Sequence, residues 1–385
     1  MVNEVDNIRE EIISIRRQIH MYPEVRFDLD RTYNLVKTKL KEYGVRINEN
    51  YGKSSLVGII EGNGDKAIAL RADMDALDLH EENDISYKSK IPGKMHGCGH
   101  DGHTAMLLGA AKILAQNKER INGRVKLIFQ ASEEGPYSGA KYMVEDGVVD
   151  DVDAIFGIHI STEIPTGKVE INNERNMASS NVFEIELIGR GGHAGSPHKA
   201  VDAISMASRL VGEIQYLISR GIDPLEPFVI SVGTLNSGHS SNVIPEKATL
   251  TGTIRSFSKE LTDDVIKRLE NITKQITKTS GGNYKFNIIP GLPALINDKE
   301  KVKISARACE KIVESKNVLI TDLPSMGSED FAYYAQKVPA SFIFLGARNE
   351  EKNLMNFIHN PKFNFDEEAL VLGSKIFIQH VLDFL

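Results

Sequence analysis

Nine residues, Met95-His-Gly-Cys-Gly-His-Asp-Gly-His103, constrain this chain more than any other stretch. They hold three histidines, a thiol, a carboxylate and three glycines. Imidazole and thiolate are the donors that zinc-like metals prefer. Glycines let a backbone turn tightly enough for several donors to converge on one point. A solvated polar loop has no need of that density. One loop rarely completes a metal site, however, so the fold has to carry further donors to this stretch from distant parts of the chain.

The residues on either side describe such a fold. Ile8, Ile12, Ile15 and Ile19 recur at helical spacing and predict a first helix ending before Pro23, with His20 at its end. A second helix is expected over about Arg31–Tyr43, stopped by Gly44. Ser55–Ile60 and Ala67–Leu70 read as strands, and the second leads into Arg71-Ala-Asp-Met-Asp75. Thr104–Ala115 reads as a buried helix, Val125–Phe129 as a strand running into Glu133-Glu134, and Gly139–Glu145 as a helix. Ala154–Ile158 reads as a strand ending at His159. Alternating strands and helices predict an α/β layer with a largely parallel sheet. Asp73, Glu133, Glu134 and His159 all fall at or just past the carboxyl ends of expected strands, the edge at which open α/β sheets bind ligands. Two adjacent carboxylates, Glu133 and Glu134, suit a division of labour: one ligates a metal while the other stays free as a base.

From about Ser179 the pattern changes. Strands at Val182–Ile188, Phe228–Leu235, Ala248–Ile254 and Tyr284–Ile289 are interleaved with helices at Ala200–Ile218 and Thr262–Thr277. That β-α-β-β-α-β order is ferredoxin-like. The α/β pattern then resumes with a helix near Glu300–Ser315, a strand at Ser341–Leu345 and a closing helix at Glu367–Leu382. His359 lies between the last two, and spacing alone gives it no role. We therefore expect an α/β catalytic domain made of residues 1–178 and 293–385, with residues 179–292 inserted as a small α+β domain. Length permits this, since 385 residues suffice for two cores.

Charge narrows the function classes. The net charge of −7 comes with no basic run, which argues against nucleic acid as a partner. No stretch approaches a membrane span, and two cysteines, Cys98 and Cys309, do not make a disulfide framework. The acidic N-terminus has no apolar core of a signal peptide, so a cytoplasmic protein is expected.

Several motifs resemble the M20 family of metallopeptidases. They are His20-x-x-Pro-Glu24, Arg71-Ala-Asp-Met-Asp75, the Met95–His103 stretch, Glu133-Glu134, Gly157-Ile-His159, Gly191-Gly-His-Ala194, Asn242-Val-Ile-Pro245 and Gly327-Ser-Glu-Asp330. The branch resembled is subfamily D, the amidohydrolases, which include aminoacylases, hippurate hydrolases, N-acetyldiaminopimelate deacetylases and auxin-conjugate hydrolases. The likeness spans nearly the whole chain in consistent order. It implies a zinc-peptidase-like α/β domain with an inserted ferredoxin-like lid that also forms a homodimer.

The resemblance also implies roles. Cys98, His100, Glu134, His159 and His359 would hold two divalent metal ions, zinc or manganese, with cobalt and nickel as further candidates. Glu133 would be the general base toward a dimetal-activated water, and Asp73 a carboxylate that orients a ligand. Most other branches carry a histidine ligand where Arg71 stands here, so Cys98 would supply the substitute. In the lid, His193 would reach the other subunit's site and stabilise the oxyanion, while Asn242 and Arg255 bind the amino-acid moiety, Arg255 through a carboxylate. His96, His103 and His198 are expected to be structural or supporting, Asp101 to orient a ligand histidine, and Cys309 to be buried and inert. Gly135-Pro-Tyr-Ser-Gly-Ala140 departs from the glycine-rich turn usual in relatives, which would reshape the acyl pocket. The expected activity is hydrolysis of N-acyl amino acids. A dipeptidase or aminopeptidase on small peptides is the alternative enzyme, and a non-catalytic binder of acylated amino acids the alternative outside catalysis.

Overall fold

The computed structural model describes residues 1–385. The chain forms two compact units: Met1–Asn176 with Ile296–Leu323 and Asp330–Leu385, and Met177–Leu295 with Pro324–Glu329.

The larger unit is built on an eight-stranded sheet. In spatial order its strands are Arg46–Asn48, Leu56–Glu61, Arg124–Gln130, Ala67–Asp73, Ala154–Pro165, Ala340–Arg348, Val169–Asn172 and Val318–Thr321. The four central strands pair in parallel. They read as continuous apolar runs because helices cover both faces; every residue of Ala67–Asp73 is buried. The sheet as a whole is mixed, since Arg46–Asn48 with Leu56–Glu61, Leu56–Glu61 with Arg124–Gln130, and Ala340–Arg348 with Val169–Asn172 are antiparallel. The short strands at Arg46, Val169 and Val318 carry too few apolar residues for a periodicity reading to find them.

Two boundaries bear on the site. The strand beginning at Ala154 runs on to Pro165, so His159 lies within a strand and not at its end. The helix after the His/Cys stretch starts at His100, not Thr104, and extends to Gln116. Gly99, at φ +90°, is its N-cap, a left-handed conformation that favours glycine. This helix packs against the sheet and against the closing helix Glu368–Phe384. Gly102 lets it approach the sheet closely: a Cβ there would lie 2.7 Å from both Ile160 and Phe365.

The smaller unit has a four-stranded antiparallel sheet in the order Phe228–Ser237, Lys247–Ser256, Asn181–Ile188, Asn283–Pro290. This is the ferredoxin-like arrangement. Lys247–Ser256 alternates between buried and part-exposed positions, as a strand with one covered face must. Phe183, Ile185, Leu187, Leu250 and Ile254 meet Leu210, Ile214 and Leu269 from the helices Ala203–Gly221 and Lys259–Ser280 in its core. Asp202 and Ser258 cap the starts of those helices through their side-chain oxygens. No helix of either unit is long and apolar enough to cross a membrane.

Candidate metal centre

The expected ligands come together at the carboxyl edge of the larger unit's sheet. Donor atoms of Cys98, His100 and His159 lie within 4.8 Å of one another, as do those of Cys98, Glu134 and His359, and of His100, Glu133 and Glu134. Cys98 Sγ is 3.5 Å from His159 Nε2, and His359 Nε2 is 2.9 Å from Glu134 Oε1. His359 reaches the cluster because its backbone adopts φ +63° and its N–H donates to Gly97 O at 2.8 Å. That tie welds the loop before Pro361 to the Met95–His103 stretch, a contact no sequence spacing encodes.

Hydrogen bonds fix how the imidazoles face the cluster. His100 Nδ1 donates to the carbonyl of Asp75 at 2.9 Å, and His159 Nδ1 donates to the carbonyl of Ile160 at 2.8 Å. Each therefore presents an Nε2 lone pair inward. The Nε2 of His100 is buried with no hydrogen-bond partner. An orphaned acceptor aimed at a thiol and carboxylates is what a cation site requires.

The electrostatics agree. Burial alone would lower the His100 pKa, yet Asp73, Asp75 and Glu134 raise it to about 10. Burial drives the Cys98 thiol well upward, and Glu134, Glu133 and Asp73 push it further. His159, buried beside other imidazoles, is lowered to about 3 and stays neutral. The pocket thus has an excess of negative charge that divalent cations neutralise, and metal competes there with protons for the same lone pairs.

His103 and Asp73 support the cluster. The Ile160 N–H donates to His103 Nε2 at 2.9 Å, so Nδ1 carries the proton and donates to Asp73 Oδ1 at 2.7 Å. Both ring nitrogens of His103 are thereby used, as its expected supporting role requires. Asp73 Oδ2 accepts from Arg71 Nη1 at 2.6 Å and lies 3.8 Å from His100 Nε2. Burial raises the Asp73 carboxyl, but Arg71, His100 and His103 outweigh it and hold it well below the usual carboxylate range. On the other side of the loop Asp101 accepts from Arg16 Nε at 2.7 Å and from His20 Nδ1 at 2.8 Å. It anchors the motif to the first helix and bonds to no ligand histidine, contrary to the role expected for it. His96 is buried, with neither ring nitrogen hydrogen-bonded. Cys309 is buried in its helix, and burial raises its thiol beyond the reactive range.

Two further residues that sequence reasoning left without a role stand out. Asp75 accepts from the backbone N–H groups of Glu133 and Glu134, both at 3.1 Å. Asp330 accepts from Arg71, Gln130 and Ser138 within the core below the glutamates. Their Asp-Met-Asp and Ser-Glu-Asp contexts showed acids in motifs, but only burial and hydrogen bonding reveal what they hold.

The residues expected to bind substrate, His193, Asn242 and Arg255, lie in the smaller unit. His193 is exposed, and its Nδ1 accepts from the Gly195 N–H at 2.9 Å. Asn242 is joined to the same corner by the Ala194 N–H, which donates to its carbonyl, and both residues line a cavity of about 590 Å³. Arg255 stands apart from that cavity; its Nη1 donates to Met326 O at 2.9 Å. His198 is exposed in a short 3₁₀ turn.

Known proteins resemble this chain along its whole length. A thermostable carboxypeptidase from Saccharolobus solfataricus is 39% identical over 376 residues, covering 97% of this chain and 95% of the relative. A hippurate hydrolase from Campylobacter jejuni is 37% identical over 391 residues, covering 100% and 99%. The crystal structure of a dinuclear metal-binding M20 peptidase from Bacillus subtilis superposes with a TM-score of 0.86 at 30% identity, covering 99% of both chains. Residues 69–383 match the description Peptidase family M20/M25/M40, and the chain, with its cluster of metal-donor side chains around Cys98, belongs to that family.

Proposed function

We propose that the protein releases amino acids from N-acyl amino acids, with Glu133 as general base beside two divalent ions held by Cys98, His100, Glu134, His159 and His359. It is a hydrolase acting on amide bonds. The observation that carries the reading is the shared geometry of the inward-facing Nε2 lone pairs and the two adjacent glutamates. Divalent ions bound there supply Lewis acidity, which acidifies water and polarises a carbonyl oxygen. Glu134, hydrogen-bonded to His359, is tied into the ligand set. Glu133, the residue just before it in the chain, takes the proton of the attacking water and delivers it to the departing amine. Asp73, fixed by Arg71, keeps His103 in one tautomer and sets the charge beneath His100.

Substrate binding and a homodimer fall to the smaller unit, Met177–Leu295 with Pro324–Glu329, slightly wider than the expected residues 179–292. His193, with Nδ1 accepting from Gly195, has its other nitrogen available to donate to a developing oxyanion. Asn242 and Arg255 are the proposed contacts of the amino-acid moiety. Zinc and manganese are the proposed metals, with cobalt and nickel as alternatives, and a cytoplasmic site of action completes the proposal. The carboxypeptidase relative favours a second reading, a peptidase acting on small peptides.

The test is hydrolysis of N-acetyl and N-benzoyl amino acids and of dipeptides by metal-free and metal-loaded protein. Glu133→Gln is expected to keep metal stoichiometry while losing on the order of 10²–10⁴ in rate. Release from dipeptides alone would replace the acyl-amino-acid reading with the peptidase. Undiminished activity in Glu133→Gln would refute the assigned base.

A further inference from the structure

The turn that presents the two glutamates is unusual. Ser132 adopts φ +54°, a conformation uncommon for a residue with a side chain, and is followed directly by Glu133 and Glu134. Successive backbone N–H groups after such a residue converge into a concavity that binds anions. Here the concavity is filled from within the chain. Asp75 Oδ1 accepts from the Glu133 N–H and Oδ2 from the Glu134 N–H, each at 3.1 Å. Asp75 is buried, and its own carbonyl accepts from His100 Nδ1 at 2.9 Å. One residue therefore touches three members of the proposed machinery: the two glutamate amides through its carboxylate, and His100 through its carbonyl, with Oδ1 also 3.4 Å from the same ring nitrogen.

We propose that Asp75 is the positioning residue of the reaction: its carboxylate, seated in the amide concavity at Glu133-Glu134, sets where the base stands relative to the metal ligands. The inference rests on the assignment of Glu133 as base. The remaining anchors of the turn act farther along it. Ser132 Oγ donates to Tyr137 O at 2.8 Å, and the Gly139 N–H donates to Ser132 O at 2.9 Å, so the loop is closed on itself. Of these bonds, those from Asp75 tie the glutamate amides themselves to the strand edge that also holds Asp73. The backbone carbonyl that fixes the tautomer of His100 survives any substitution of the Asp75 side chain. Loss of the carboxylate is therefore expected to leave ligation intact while displacing the base. An amide cannot substitute: in Asp75→Asn one oxygen serves one N–H, and the –NH₂ group faces the other donor.

The test compares wild type, Asp75→Asn and Asp75→Ala. Metal binding is measured by calorimetric titration of metal-free protein, folding by thermal melting, and turnover with an N-acyl amino acid that the wild type hydrolyses. Both variants are expected to take up the wild-type complement of metal and keep KM, while kcat falls by on the order of 100-fold, the cost of an ångström-scale misplacement. Formate, a free carboxylate small enough for the space left in Asp75→Ala, is expected to bind that metal-free variant more tightly than wild type and to restore part of kcat. It should do neither for Asp75→Asn, whose side chain still fills the space. Unchanged kcat in both variants would overturn the proposal. So would lost activity that tracks lost metal or lost folding with no formate rescue, because Asp75 would then be structural only. If the wild type hydrolyses no acylated amino acid or dipeptide, the reading of Glu133 fails instead, while formate binding still reports whether the concavity was Asp75's.

Discussion

Replacing Asp330 by asparagine is expected to cost far more than the loss of one charge, because this carboxylate accepts hydrogen bonds from four different residues. Arg71 Nη2 reaches Oδ1 at 2.8 Å, Gln130 Nε2 bridges both oxygens at 2.9 and 2.8 Å, Ser138 Oγ donates at 2.6 Å and the Ala140 N–H at 3.3 Å. Gln130 has no freedom to flip, since its Oε1 accepts from Arg71 Nε at 2.9 Å and from Tyr334 OH at 3.0 Å. Burial raises the Asp330 carboxyl above the usual carboxylate range, with Arg71 and the hydrogen bonds from Ser138 and Gln130 working against that rise. Its contact with Arg71 Nη2 makes it one half of a buried ion pair. Asparagine keeps one acceptor oxygen and turns an –NH₂ group toward groups that are themselves donors. At least two buried donors then lose their partner, at about 1–3 kcal/mol each. Removing one charge of a buried pair costs about 3–5 kcal/mol by itself, and the two estimates overlap, so the expected destabilisation is about 4 kcal/mol. Urea unfolding of the metal-free protein, followed by circular dichroism, measures it as a lowered midpoint at constant slope. Ser138 also caps the Gly139–Glu145 helix that follows the glutamates, so turnover is expected to fall as well. A loss below about 1 kcal/mol would refute the account, since that is the size of a single ordinary hydrogen bond.

Two other perturbations test the frame around the site. His380, buried against Phe156 with Nε2 bonded to Ser305 Oγ at 3.0 Å, is lowered by burial to about 3. The unfolded chain binds a proton there near pH 6.5 and the native chain does not, so stability is full above that value and falls as pH drops toward 3. Between pH 7 and 5 the wild type should lose about 2 kcal/mol more than His380→Gln in urea titrations, and equal losses would refute the assignment. Gly139 sits where a Cβ would lie 1.7 Å from Ala131 O, so Gly139→Ala must push apart the two ends of the glutamate turn. A loss of about 1–3 kcal/mol, with a larger fall in kcat than in metal uptake, is expected, and a wild-type melting temperature would contradict it.

The parts of the site that the sequence exposed were those with local chemistry. The donor side chains of Met95–His103 stood out by density, and Glu133-Glu134 by adjacency after an apolar strand. The ferredoxin-like order of the smaller unit was legible because its strands alternate between faces and its helices carry one apolar stripe. His359 was opaque, since its arrival depends on a left-handed backbone and one hydrogen bond to Gly97. His159 was placed at a strand end, because periodicity gives no signal that a strand continues through Ser161 to Pro165. Asp75 and Asp330 looked like any acid in a polar motif; what distinguishes them is burial among donors, a property of the folded chain alone.

The proposed ligand cluster is not uniform in its mountings. Cys98, His100 and His159 are buried, the last two on a seventeen-residue helix and in the interior of a twelve-residue strand. Glu134 stands on a turn, and the His359 side chain, on a loop, is 51% exposed. An ion held by Cys98, Glu134 and His359 would have a short path to solvent past the exposed His359 side chain. The two positions should therefore exchange with the surrounding metal pool on different clocks. Under scarcity the enzyme would drain from the His359 side first, leaving a half-loaded, folded and rapidly rechargeable form.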